Sequence, residues 1–369
     1  MAAAFFAQGL VFISLTTRLP DIQDRWDLSE LTLSLLLLML VLLAGAGSVA
    51  AERLARHRPS ETLLRAGLML VAAALPVIAL APDRAVFVVG LALYGTALGI
   101  IDASSNMQAV ALEHRYARPI LPSFHGAWTA GGIIGAAATL ASGGLPLGAV
   151  TVVLVVPLGV AFAPFLPRDD GPVDTHLPDV AWRPILLVGL GMVVFYLVDT
   201  ASTTWGAVYL DDVFDTPDGL VALATFPYLV ASLALRLSGD GLVRRFGAVR
   251  VLRVGAVVGC AGLLLVVTAP AWPVAVLGFT VTGAGVAVIA PLSFSAAARI
   301  AGGSHARVDA VIARFNQFNY VGALLGAVLT GVVGQDSLRI GFAVPLVLVL
   351  AMLPLARAFA AAPAETARA

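Results

Sequence analysis

The chain contains no lysine: all 22 basic residues among its 369 are arginines. Without lysine there is no phosphate-loop lysine, no Schiff-base lysine and no retinal attachment, which excludes ATP hydrolysis at a Walker site and any lysine-linked cofactor. Uphill work by this chain must therefore borrow an existing gradient. Cysteine is almost absent too, and the lone Cys260 excludes an internal disulfide framework or a cysteine metal site. Charge is scarce: 12 % of residues are charged, against about 25 % in soluble domains. No nucleophile–base pair or metal-ligand cluster stands out, so an enzyme is the least expected class, and no cofactor is expected.

Apolar residues dominate instead, at 60 % of the chain, with a mean hydropathy of +0.96. A water-soluble core of this length cannot hide so much apolar surface. About 20 apolar residues cross roughly 30 Å of hydrocarbon as a helix. Such stretches lie near 3–20, 31–51, 63–81, 85–112, 120–142 and 144–166, and again near 184–210, 219–237, 251–269, 272–298, 308–333 and 338–360. The polar stretch from Pro167 to Arg183 separates the two sets. The expectation is an all-α membrane protein with 12 transmembrane helices. It divides into two pseudo-symmetric six-helix bundles, 1–166 and 184–369, joined by a cytoplasmic linker, 167–183. Met1 opens directly into the first apolar span without a basic leader, which reads as a retained span and not a signal peptide.

Counted against that map, 17 arginines fall on one side. They are Arg53, Arg56, Arg58 and Arg65; Arg115 and Arg118; Arg168 and Arg183; Arg236, Arg244, Arg245, Arg250 and Arg253; Arg299 and Arg307; and Arg357 and Arg368. The opposite face holds only Arg18, Arg25, Arg84 and Arg339, while Arg314 falls inside span 11. The positive-inside rule then puts the even loops and both termini in the cytoplasm. The outer loops are acidic, as at Asp21, Asp24, Asp27 and Glu30, and at Asp211, Asp212, Asp215 and Asp218.

Six spans, a linker and six spans suggest duplication, and the sequence supports it at an offset of about 191 residues. His125, Trp128 and Thr129 of span 5 correspond to Asn316, Asn319 and Tyr320 of span 11. Both spans carry a small-xxx-small pair, Gly131/Gly135 and Gly322/Gly326, which is read first as helix packing. The 2–3 loop, Gly47-Ser48-Val49-Ala50-Ala51-Glu52-Arg53, aligns with the 8–9 loop, Gly239-Asp240-Gly241-Leu242-Val243-Arg244-Arg245-Phe246-Gly247.

That position and its glycine-plus-arginine chemistry resemble the signature loop of the major facilitator superfamily, well in the second half and in eroded form in the first. Narrower motifs resemble the YbjJ-like branch of bacterial inner-membrane facilitators, relatives of the fucose permease. These are Arg18-Leu19-Pro20-Asp21-Ile22, and Asp102-Ala103-Ser104-Ser105-Asn106 with Glu113, Phe124-His125, Thr129 and Gly131. The resemblance implies a twelve-helix, two-domain alternating-access carrier in the bacterial cytoplasmic membrane. By the same resemblance the first and fourth helices of each half line the cavity, and Arg53 and Arg245 are latch residues. Arg56, Arg58 and Arg250 read as ordinary topology arginines.

Ionisable groups within lipid cost about 2.5–3.5 kcal/mol or more, so each is a functional candidate. Asp102 and Asp199 lie near the middle of spans 4 and 7. Asp102 shares a helix face with Asn106, and Asp199 with Tyr196 and Thr203. Desolvation brings carboxyl groups toward a range where protons bind and leave, so Asp102 and Asp199 are candidate proton-coupling groups, with His125 as a candidate relay. Hydrogen-bonded structural aspartates and a satisfied cavity-wall histidine are the competing readings. Arg314 cannot lose its proton and must meet an anion, either a protein carboxylate such as Asp309 or the substrate. Glu113, at the end of span 4, is the expected gate partner of Arg53. Asn106, Trp128, Tyr196, Thr203, Arg314, Asn316, Gln317, Asn319 and Tyr320 form the candidate substrate lining, with Trp205 as a further aromatic platform.

The resulting expectation is a secondary transporter for a small polar, possibly sugar-like solute, coupled to protons. A drug or metabolite exporter on the same fold is the alternative, and a non-transporting membrane sensor or scaffold is the second. Expected partners are the lipid bilayer, a small-molecule substrate and protons, with no nucleic acid, and the chain is read as a monomer.

Overall fold

In the computed structural model the described residues are 1–55, 57–116, 121–142, 145–167, 182–301, 311, 315 and 317–360, and the side chains of residues 110, 113, 114, 121, 122 and 240 lie outside that description. All regular structure among them is helical. Span 1 is a bent pair, α1 (Ala2–Thr16) and α2 (Leu19–Trp26), turning by 44°. Pro20 lies four residues after Thr16, where a proline ring crowds the i−4 carbonyl and supplies no N–H, so the helix breaks there. Spans 2, 3 and 4 are α3 (Glu30–Leu54), α4 (Ser60–Ala79) and α5 (Arg84–Tyr116). Span 5 is α6 (Leu121–Ala141), and span 6 runs as a 3-10 segment, Leu147–Leu154, into α7 (Val155–Ala161).

The second set repeats this order. Span 7 is α8 (Trp182–Phe214), and span 8 is a short 3-10 turn, Val221–Ala224, followed by α9 (Phe226–Phe246). Span 9 is α10 (Ala248–Thr268) and span 10 is α11 (Trp272–Val286) plus α12 (Ile289–Ala301). Their interruption at Ala287 lies four residues before Pro291, the same cause as in span 1. Span 11 is α13 (Gln317–Val333), and span 12 is α14 (Leu338–Val349), α15 (Met352–Leu355) and a closing 3-10 turn, Ala356–Phe359. Eight of these runs are long and apolar enough to cross a bilayer singly, and the bent pair makes a ninth. With α6, the Leu147–Ala161 run and α13, the twelve expected crossings are accounted for.

The glycine pairs explain how each half is stapled. Gly131 and Gly135 of α6 lie against the Phe6 and Leu10 carbonyls of α1, while Gly322 and Gly326 of α13 lie against the Val193 and Leu197 carbonyls of α8. A Cβ at any of the four would collide with backbone, which cannot yield as a flexible side chain does. The two staples sit 191 residues apart, so the repeat read from sequence is a repeat of packing. Asp27 and Asp215, both in left-handed conformation (φ 48° and 47°), end α2 and follow α8 at matching corners of the halves. Aspartate tolerates that conformation better than most residues. Gly247, at φ 78°, makes the corresponding sharp corner between α9 and α10 in the 8–9 loop.

The four arginines that fall on the arginine-poor face are all bound to backbone carbonyls. Arg18 reaches Leu145 O (3.0 Å) and Ser142 O (3.2 Å), and forms an ion pair with Asp21 (2.9 Å). Arg25 reaches Ala79 O and Ala81 O at the end of α4, and Arg339 reaches Val267 O and Ala269 O at the end of α10. Arg84 donates to Trp26 O. Helix C-termini leave carbonyls without partners, and a guanidinium satisfies two at once. These side chains act as caps, which explains their presence on the face that the charge rule disfavours.

The halves meet along α3 with α13 and along α6 with α9, with further contact of α1 and α2 against α8. This seam carries the polar residues considered next.

A polar seam between the halves as candidate functional site

Asp102, near the middle of α5, faces the second half. Tyr320 of α13 donates its hydroxyl to Asp102 Oδ2, and the same hydroxyl lies 3.3 Å from Ser48 Oγ of α3. Within the first half Asn106 Nδ2 approaches Asp102 Oδ1 at 3.3 Å, as the i, i+4 spacing predicts, and Gln8 of α1 is a further hydrogen-bond donor to the carboxyl. One half-buried carboxyl thus takes neutral donors from three helices, and one of them belongs to the other half.

Asp199 of α8 is buried, at 8 % exposure, and accepts 2.8 Å from Tyr228 Oη of α9. Thr203 donates to the Asp199 backbone carbonyl at 2.8 Å, so its hydroxyl is engaged locally. Tyr196 packs edge-on against Phe195 and lies within electrostatic reach of Asp102, Asp199 and Arg236 together.

His125 of α6 stacks on Phe294 of α12 across the seam (6.2 Å between centroids) and meets Phe5 edge-on (5.4 Å). Trp128 tilts against Phe12 of α1 (6.1 Å). Thr129 accepts a hydrogen bond from Arg236 Nη1 of α9 at 3.3 Å and donates to His125 O at 3.1 Å. Thr129 and Tyr320 are the residues paired by the 191-residue offset, and each makes a hydrogen bond into the opposite half. Each of the two positions thus carries a bridge between the halves, Tyr320 as donor and Thr129 as acceptor.

Of the other sequence candidates, Asn319 is half-buried and Gln317 is exposed at the start of α13. Arg53 and Arg245 are exposed, Arg245 lying over the Phe246 ring (5.2 Å). Arg314, Asn316 and Arg56, together with the Glu113 side chain, lie outside the described residues, and so does the proposed Arg53–Glu113 contact. Trp205 departs from expectation: it is fully buried, its Nε1 donates to Ala327 O at 2.8 Å, and it fixes α8 to α13 instead of lining a cavity.

Arg236 departs further. Read from sequence as a loop arginine, it lies mid-way along α9, because the helix continues to Phe246 through the glycines of the loop motif. Its guanidinium sits over the Phe195 ring (5.3 Å) as well as on Thr129. The overlooked signal is a stripe, Tyr228, Ser232 and Arg236 at i, i+4 and i+8, on an otherwise apolar span. Gln8, a lone polar side chain in the first span, was overlooked for want of a charge; the same offset pairs it with Asp199.

Comparison with known proteins fits this architecture. No family model matches the chain. The chain is 30 % identical over 368 residues to an uncharacterized MFS-type transporter of Yersinia pestis, covering 96 % of this chain and 94 % of that one. It is also 30 % identical over 311 residues to the uncharacterized transporter y4wD of Sinorhizobium fredii, covering 81 % of each. The fold superposes on the nucleoside transporter NupG with a TM-score of 0.73 at 14 % identity (97 % of this chain, 96 % of that one). It superposes on the transporter FucP in its outward conformation with a TM-score of 0.67 at 17 % identity (98 % of both). Twelve crossings in two stapled halves, a polar seam between them and relatives 30 % identical over 81–96 % of the chain together establish that the chain is a multi-pass membrane transporter, not an enzyme, and belongs to the major facilitator superfamily.

Proposed function

We propose that this chain moves a small polar solute across the bacterial cytoplasmic membrane by alternating access, and that proton binding at Asp102 drives the cycle. The observation that carries this reading is the Tyr320–Asp102 hydrogen bond, because it joins a titratable group to the opposite half. A phenol bound to an ionised carboxylate is held by a charge-assisted bond, roughly twice as strong as a neutral one. Protonation of Asp102 neutralises that bond and loosens the hold of α13 on α5, so proton occupancy and separation of the halves bias one another. Asp199 with Tyr228 is a second carboxyl–phenol pair, wholly within one half, and serves as the secondary coupling group. His125, stacked on Phe294 across the seam, is the relay candidate. Trp128, Tyr196, Asn106, Thr203, Gln317 and Asn319 contribute to the solute path, with Arg314 and Asn316 of the same span. Arg53, Glu113 and Arg245 form the cytoplasmic latch, with both termini on that side, as the arginine bias supports. The structurally similar FucP is described as a fucose:proton symporter.

The test uses purified protein in liposomes carrying an internal pH dye, challenged with sugars, nucleosides and organic acids in turn. A solute that drives proton movement in the wild type should fail to do so in Asp102→Asn while still binding, since the amide keeps shape and loses the titration. Gradient-driven transport persisting in Asp102→Asn, Asp199→Asn and the double variant would sink coupling through these carboxyls.

A further inference from the structure

We infer that Arg236 is an anion subsite and that the transported solute carries a carboxylate. The inference rests on reading the seam as the solute path.

The charges of the seam do not cancel in the expected way. Asp102 is occupied by Tyr320, Asn106 and Gln8, and Asp199 by Tyr228, all of them neutral donors. The cation has no carboxylate in contact: among the described residues none lies within 4.0 Å of the Arg236 guanidinium, and Asp199 acts on it only at longer range. Its Nε is buried without a hydrogen-bond partner, and Nη1 has only the uncharged Thr129 hydroxyl at 3.3 Å. One turn away on the same face, Ser232 is 1 % exposed and its hydroxyl also lacks a partner. An arginine does not deprotonate in a protein, and a fixed cation half-withdrawn from water, with its Nε buried, recruits an anion.

The geometry points to the class of that anion. A guanidinium presents parallel N–H groups that match the two oxygens of a carboxylate. Here the Arg236 Cζ lies over the Phe195 ring, so an anion is met through the N–H groups and not over the carbon. His125 and Phe294 stack across the same seam and supply an aromatic wall for the remainder of the solute. Thr129 and Arg236 belong to opposite halves, so a carboxylate bound there touches both. A solute seated at this point is positioned to favour one arrangement of the halves over another, which is the differential binding that transport requires.

The test is a thermal-shift measurement on detergent-purified wild type, R236Q and R236K at constant ionic strength, using lactate, gluconate and benzoate against glycerol, glucose and benzyl alcohol, with inorganic phosphate as a further arm. Binding to the folded state alone raises apparent stability, so at saturating ligand the wild type should gain about 2 °C or more with at least one carboxylate and nothing with its neutral counterpart. R236Q should lose the gain, and R236K, which keeps charge without the fork, should need about tenfold more ligand. A wild type that responds to none of the carboxylates, that responds to phosphate alone, or whose gain survives in R236Q would overturn the proposal. If R236Q does not fold, equal half-saturation in R236K and wild type is the overturning result. No gradient is involved, so a failure here leaves proton coupling standing, and a failure of proton coupling leaves this binding result standing.

Discussion

Tyr320 of the second half donates its hydroxyl to Asp102 of the first. A carboxyl with its donor on a separate body changes its environment whenever the two bodies part. Tyr320→Phe removes that donor and leaves Asn106 and Gln8. The unfolding free energy should fall by about 1.5–3 kcal/mol, the worth of one hydrogen bond to a charged group that keeps its other donors. Thermal unfolding in detergent checks this. An unchanged midpoint would mean that the bond contributes nothing to the resting arrangement.

The Asp199–Tyr228 pair offers a control inside a single half. Tyr228→Phe should cost a similar amount, about 1–3 kcal/mol, because Asp199 stays buried without its 2.8 Å partner. Asp199→Asn retains a carbonyl oxygen for the phenol and should cost less than about 1 kcal/mol. Comparing the two variants separates loss of a hydrogen bond from loss of a charge. Equal destabilisation would show that the ionised form, not the bond alone, stabilises the half.

Much of this fold was legible in the chain because hydrocarbon imposes length and polarity on every crossing. Span positions, the 191-residue repeat and the packing role of Gly131, Gly135, Gly322 and Gly326 could all be read from periodicity and spacing. The site was legible where charge lay deep inside an apolar run, as with Asp102 and Asp199. It was not legible at Arg236, since an arginine ten residues before the end of a helix looks like a loop arginine when the helix ends in glycines and further arginines. Trp205 failed for the opposite reason. An indole in a membrane span suits either a cavity wall or a helix contact, and only tertiary packing chose Ala327 O as its acceptor.

The glycine staples predict a sharp contrast between positions. Gly131→Val and Gly322→Val push a side chain into the backbone of the facing helix and should each cost about 3 kcal/mol or more. Gly45→Ala on α3, where nothing lies within 4 Å of the added carbon, should be neutral or stabilise by about 0.5–1 kcal/mol. Denaturation in matched detergent measures both. Tolerance of valine at both stapled sites would contradict the close backbone approach.

Arginine caps on the arginine-poor face should behave unlike arginines elsewhere. Arg18→Gln and Arg339→Gln each strip charged donors from helix-end carbonyls, with an expected loss of about 1.5–3 kcal/mol per bond. Arg244→Gln, at an exposed site in the last turn of α9, should change stability by less than about 1 kcal/mol. Unfolding midpoints of the three variants decide the matter, and a ranking with Arg244→Gln as the most damaging would refute the capping assignment.

Backbone pressed against backbone does not glide. Where α6 rests on α1 and α13 on α8 through glycine, a relative shift of even one residue would drive neighbouring side chains into the opposing main chain. Each half is therefore a stiff plate, and the compliant material lies in the side chains along α3–α13 and α6–α9. On the proposed cycle those seams act as its bearing, and their few polar bridges, Tyr320 to Asp102 and Arg236 to Thr129, are the detents that a proton and a solute would lift. Motion of this kind should appear in distance measurements as changes between plates, with distances within each plate constant throughout the cycle.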